Sequence, residues 1–166
     1  LHWHPTPHRL FPEWKRVLAT DGLLLFSCFG PDTIKELRAA VAAALPRAAP
    51  MPFVDMHDFG DMLVAAGFAT PVMDVERIRL TFATPAELLR EVAALGGNPR
   101  DDRMRGLASG RQARALIAAL EASRSDDGRI ALTFEVAYGH AWKPVARERG
   151  QARIPIESLR AQLRSR

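Results

Sequence analysis

A chain of 166 residues, 48% hydrophobic and 25% charged, can bury one core and is too short for two of ordinary size. It has no apolar run near the eighteen or so residues of a membrane span, no basic-then-apolar leader pattern at its opening, and a single cysteine, so an internal disulfide is excluded and a reducing, cytoplasmic setting is expected. The net charge of +4 lies in the tail, where six arginines between Pro144 and Arg166 stand against Glu148 and Glu157; without interleaved aromatics this segment reads as solvated, not as a nucleic-acid arm.

Thr6-Pro7 offers a cap and a first-turn proline, and Leu10, Phe11, Trp14, Val17 and Leu18 then predict an amphipathic helix that stops at Asp21-Gly22. Leu23 to Phe29 is an almost unbroken apolar run between glycines, which predicts a strand buried on both faces, with Cys28 as core and not as a nucleophile. After Gly30-Pro31, the pattern Thr33-x-x-Glu36 predicts a capping box, opening a helix with Ile34, Leu37, Val41 and Leu45 inward. Pro46 to Pro52 is a proline-rich connection, and Phe59, Met62, Leu63 and Ala66 mark a shorter helix closed by Gly67. Val72 to Phe82 predicts a strand whose apolar phase shifts near Arg77, as a bulge there would cause.

Thr84-Pro85-Ala86-Glu87 combines a capping box with a first-turn proline, and Leu88, Leu89, Val92 and Leu95 carry that helix to Gly96-Gly97. Asn98 to Gly110 is charged and glycine-bearing and reads as a loop, before a helix with Ala113, Leu116, Ile117 and Leu120 inward. Beyond the turn Asp126-Asp127-Gly128, large residues alternate from Ile130 to Trp142, predicting a long antiparallel edge strand on which His140 and Trp142 pack. There is no internal repeat. Helices alternating with strands in this order make an α/β fold.

The phrases Leu1-His2-Trp3, Arg16-Val17-Leu18-x-x-Asp21-Gly22-Leu23-Leu24-Leu25-Phe26-Ser27, Phe29-Gly30-x-Asp32-Thr33-x-x-Glu36-Leu37, Pro52-Phe53-x-Asp55, Ala66-Gly67-Phe68 and Tyr138-Gly139-His140-Ala141-Trp142-Lys143 together resemble the C-terminal part of the malonyl-acyl-carrier protein O-methyltransferases of biotin synthesis. They are also similar to the methyltransferase-like assembly factor of respiratory complex I, which is associated with arginine hydroxylation. The resemblance implies a partial class I methyltransferase (Rossmann-like) sheet with one parallel strand, an antiparallel strand pair and flanking helices. Residues 1–143 would form the body, with a helical insertion at about 84–123, and residues 144–166 a basic tail. It implies S-adenosylmethionine as cofactor and an acyl-carrier protein as partner. The glycine-rich turn that holds the cofactor in these enzymes has no counterpart here, because Gly96-Gly97 follows a helix and not a strand. The opening at Leu1, inside an apolar phrase, is therefore expected to be a cut end.

In such a sheet the carboxyl edge binds the ligand. The resemblance thus implies cofactor contacts at His2, Trp3 and His4, and an acceptor pocket lined by Phe29, Gly30, Asp32 and Thr33. For Trp3 and Phe29 core packing is the alternative, and helix capping accounts equally for Asp32 and Thr33. His2, His4 and His8 lack a fourth ligand, so no metal is expected. Arg77 and Arg79, on one strand face, could clamp a carboxylate or be solvent-facing edge charges, while Arg100, Arg103, Arg105 and Arg111 could meet an acidic carrier. No catalytic acid or base is assigned, since a carboxylate acceptor is already ionised at neutral pH. A different class of reading is a non-catalytic interaction domain that uses the arginine-rich tail. Finally, if the fourth strand of the sheet is absent, one side of Leu23 to Phe29 lies bare, and self-association through that edge is expected.

Overall fold

The computed structural model describes residues 1–2, 4–46, 48, 52–96 and 109–145. Trp3, nearly all of the loop expected at 98–110, with Arg100, Arg103 and Arg105, and the tail arginines lie outside these residues. A three-ten turn at Pro7–Arg9 leads into α1 (Leu10–Val17), followed by β1 (Leu23–Phe29), α2 (Lys35–Ala44), α3 (Met56–Ala65), β2 (Ala69–Phe82), α4 (Pro85–Ala94), α5 (Gly110–Ala122) and β3 (Ile130–Trp142). No helix among the described residues is long and apolar enough to cross a membrane.

The strands stand in the order β1-β3-β2, with β3 antiparallel to both neighbours. The two later strands thus form the expected antiparallel pair, and β1 runs in the direction of β2 with the reversed strand between them. The expectation that β3 lies at an edge is corrected: Leu23 to Phe29 pairs with Trp142 back to Val136 on one side, and Val72 to Phe82 pairs with His140 back to Ile130 on the other. The alternation that suggested an edge comes instead from two faces with different coverings.

Successive residues of a strand point to opposite faces, so Ala137 and Ala141 belong to one face and Ile130, Leu132 and Phe134 to the other. On the first, α1 and α3 supply Phe11, Phe59 and Leu63. Phe11 is fully buried, with its ring edge-on to Trp14, Phe26 and Phe59 at centroid distances of 5.3, 5.7 and 6.2 Å. On the second, α2, α4 and α5 bring Leu37, Ala40, Leu88 and Leu120 against the start of β3. The sequence placed the burial of β3 on its large residues, but Tyr138 and Trp142, the second of which was expected to pack, are exposed, while the small residues Ala137, Gly139 and Ala141 are buried. They leave room for Phe26 and Met73, which approach from the neighbouring strands over Gly139.

Several local expectations change. The first turn before α1 is three-ten, and the Thr6 side chain makes no capping bond. β1 is not covered on both faces, since Leu25 is 71% exposed and Leu23 also reaches solvent; the helices of the second face gather over Ile130 to Phe134 and do not extend that far. Val17 and Ile117, expected inward, are exposed. The irregularity in β2 falls between Ala69 and Val72, where Thr70 has φ 46°, and not at Arg77. At α4 the Thr84 cap and first-turn proline hold, with Thr84 Oγ1 accepting the Glu87 amide at 3.2 Å, but the expected capping box is not closed, because Glu87 Oε2 accepts the Ala83 amide at 3.1 Å and not that of Thr84.

A Cβ on Gly139 would lie 2.4 Å from Phe26 Cζ and 2.9 Å from Met73 Sδ. The substitution Gly139→Ala is expected to lower unfolding free energy by about 1–3 kcal/mol, the usual cost of overpacking. A denaturant midpoint equal to that of the parent chain would contradict this packing.

Candidate functional site

β1 ends at Phe29, opposite Val136, while β3 runs back to Ile130. A strand edge left without partners exposes amides and carbonyls that must be met in some other way. The loop after β1 meets them. The Gly30 amide donates to the Glu135 carbonyl at 2.9 Å, and the Ile34 amide donates to the Thr133 carbonyl at 2.6 Å. Thr33 Oγ1 donates to the Glu135 carbonyl at 3.0 Å and accepts from the Glu135 amide at 3.2 Å. Glu36 accepts from the Thr133 amide at 2.9 Å and from Thr133 Oγ1 at 2.5 Å.

The capping box expected of Thr33 and Glu36 is therefore corrected: both side chains turn to β3. The helix starts behind Ile34 in the left-handed region, φ 51°, an arrangement that costs a β-branched residue about 1–3 kcal/mol unless its surroundings fix it. Two hydrogen bonds at Thr33, which is 1% exposed, and two at Glu36 supply that fixation.

Charge is arranged around the same loop. The Glu135 side chain, 5% exposed, lies where Gly30 has no side chain, and an alanine Cβ there would be 2.3 Å from Oε1. Arg77 Nη2 stands 3.3 Å from Glu135 Oε2, and Arg77 Nε donates to Asp32 Oδ2 at 3.1 Å. Lys35 Nζ also reaches Asp32, at 3.3 Å. The Lys35 hydrogen bond first, and Arg77 after it, hold the Asp32 carboxyl below the usual carboxylate range. Arg77 is thus neither a free carboxylate clamp nor a plain solvent charge, and Arg79 donates to Ser125 Oγ at 3.1 Å.

Phe29 carries the aromatic side of the site. Its ring centroid lies 4.5 Å from His2, 6.3 Å from Phe53 and 5.7 Å from Phe134. Burial, with a smaller contribution from the N-terminal amino group, lowers the His2 pKa, which keeps the imidazole neutral at neutral pH. Arg38 donates through Nη2 to the Pro31 carbonyl and stands 6.0 Å over the Phe53 ring. His4 turns away into its own local turn, where Nδ1 accepts the Thr6 amide at 3.0 Å.

Of the residues expected at the site, the structure therefore brings His2 to Phe29 and places Gly30, Asp32 and Thr33 in one loop. His4 is apart from them. Sequence reasoning missed Glu135, Arg38 and Phe53. For Glu135 a signal existed: it is a carboxylate among small residues of an otherwise apolar strand, directly opposite Arg77. Arg38 carried none, being one of many arginines on a helix.

Two outcomes follow. Replacing Thr33 by Val keeps shape but leaves the Glu135 backbone unmet on that side, at an expected cost of about 1–3 kcal/mol, read from chemical melts. Burial raises the Cys28 thiol to about 11, so it is protonated at pH 8 and is expected to resist iodoacetamide until the chain unfolds. Stoichiometric labelling under native conditions at that pH would refute its burial.

No protein-family model matches the chain. Among curated proteins it is 51% identical over 150 residues to a protein of Laribacter hongkongensis named malonyl-[acyl-carrier protein] O-methyltransferase, covering 90% of this chain and 50% of that protein. A protein of the same name from Nitrosospira multiformis is 45% identical over 148 residues, covering 89% of this chain and 48% of that one. A third, from Halorhodospira halophila, is 40% identical over 171 residues, covering 99% and 58%. The chain spans about half the length of the curated relatives it matches. Among solved structures, the YcgJ protein of Bacillus subtilis aligns with a TM-score of 0.48 and 13% identity over 87% of this chain and 61% of that one; the architecture rests on the strands and helices described above.

Proposed function

We propose that these residues form part of an S-adenosylmethionine-dependent methyltransferase that esterifies the free carboxylate of malonyl-acyl-carrier protein, a step of biotin synthesis in the cytoplasm. The observation that carries this reading is the 51% identity over 150 residues to a protein of that name. The chemistry is compatible with the residues present. A malonyl carboxylate is ionised at neutral pH, so the reaction asks for alignment and exclusion of water, not for a base. The loop from Phe29 to Thr33, tied to β3 by its backbone and by Thr33, is rigid enough to hold an acceptor in place.

S-adenosylmethionine would supply the methyl group. The described residues offer it a ring face at His2 and Phe29 and no glycine-rich turn between a strand and a helix, so a group of this size is not held by them alone. In this reading the remaining length of the relatives supplies most of its binding, with His2 and, as the resemblance implies, Trp3 adding contacts. His4, committed to Thr6, is the weakest member of that set. Arg111, exposed on α5, would be a contact for an acidic carrier in this reading.

Whole-length protein incubated with malonyl-carrier and methyl-labelled S-adenosylmethionine should yield a base-labile label on the acyl group. Absence of label removes the assignment. For the 166-residue chain alone we infer negligible cofactor binding, and association through the edge of β1 that has no partner strand among the described residues. Sedimentation showing a monodisperse monomer, together with micromolar cofactor affinity by calorimetry, would overturn that inference.

A further inference from the structure

Three cations stand around the loop after β1, and two of them are already compensated. Lys35 faces Asp32, and Arg77 bridges Asp32 and Glu135. Arg38 is in a different position. Its Nη2 donates to the Pro31 carbonyl, a neutral group that leaves the positive charge in place, and its guanidinium lies over Phe53. Its Nε is buried and has no acceptor among the described residues. Among the described residues no carboxylate pairs with it.

A half-buried guanidinium with an unmet N–H is unfavourable in a folded chain, and the planar fork of arginine is shaped for two parallel bonds to a carboxylate. The neighbours of Arg38 are Pro31 and Phe53, and Phe53 packs on Phe29, which packs on His2. An anionic head would therefore meet the guanidinium while the uncharged remainder of the same molecule met aromatic surface. We propose that Arg38 binds the free carboxylate of the acceptor acyl group and is the residue that distinguishes a dicarboxylic acyl chain from a monocarboxylic one. This deepens the methyltransferase reading and rests on it for the identity of the acyl group, while the carboxylate site rests on the geometry of Arg38.

The test has one arm that needs no turnover. Calorimetry on the whole-length protein compares malonyl-carrier with acetyl-carrier, which share everything except the terminal carboxylate. The parent protein is expected to favour the malonyl form by about 10- to 100-fold, the worth of a charge-assisted pair. Arg38→Ala is expected to lose that preference, and Arg38→Lys to retain part of it. Thermal melts check that both variants fold, and if the alanine variant does not, the reduced preference of the lysine variant carries the test. An undiminished preference in the variants overturns the proposal, as does weakened S-adenosylmethionine binding with the preference intact, which would assign the guanidinium to the carboxylate of the cofactor. The second arm measures labelled methyl transfer by the parent protein. A malonyl preference that depends on Arg38 without any transfer would support the carboxylate site and refute the methyltransferase reading.

Discussion

Everything around the candidate site depends on a mismatch of lengths. β3 is thirteen residues long and β1 is seven, and a buried strand cannot leave the difference unpaired. The polypeptide resolves this by continuing along β3 after it has ceased to be a strand, lending one amide at Gly30, a hydroxyl at Thr33, another amide at Ile34 and a carboxylate at Glu36. The left-handed Ile34 and the side-chain-free Gly30 are consequences of that route. A helix entered by an ordinary cap would have sent Thr33 and Glu36 back to their own amides and left Thr133 and Glu135 bare.

The same route decides where charge can sit. Glu135 is pushed into the space above Gly30, and a carboxylate so enclosed needs a cation close by; Arg77, directly opposite on β2, is in register to provide it. Asp32 then shares Arg77 and adds Lys35. This network is closed upon itself and lies on one side of the loop. Arg38 and the aromatic rings take no part in these ion pairs: the guanidinium meets the Pro31 carbonyl and the Phe53 ring instead.

Much of the architecture was legible because periodicity survives in the sequence. The alternation from Ile130 to Trp142 marked β3 to its ends, and Thr84-Pro85-Ala86-Glu87 marked the start of α4, because both signals are local. The failures share a cause: partners lay far away in sequence. Thr33 and Glu36 looked like a cap, and only their bonds to residues about a hundred positions later show otherwise. Leu23 to Phe29 looked doubly buried, yet the cover for Leu25 is not provided by the described residues. The phase shift at Arg77 looked like a bulge, while the strand simply exchanges a packing partner for an ion pair. Near the candidate site, the resemblance pointed to the loop after β1 but not to Arg38, whose guanidinium meets that loop at the Pro31 carbonyl, since one arginine on a helix carries no periodic or spacing signal.

The placement of β3 also bears on how the chain acquires its shape during synthesis. Among the described residues β1 and β2 share no ladder; each pairs with β3, the strand that leaves the ribosome after both, and Leu23 waits for Trp142. Loop closure over so long a separation is slow, and until it happens both earlier strands lack the ladder partner that β3 supplies. Nascent chains of this topology thus carry two strands without their β3 partner from the end of β2 until β3 emerges, a situation in which chaperone capture and misassembly compete with folding.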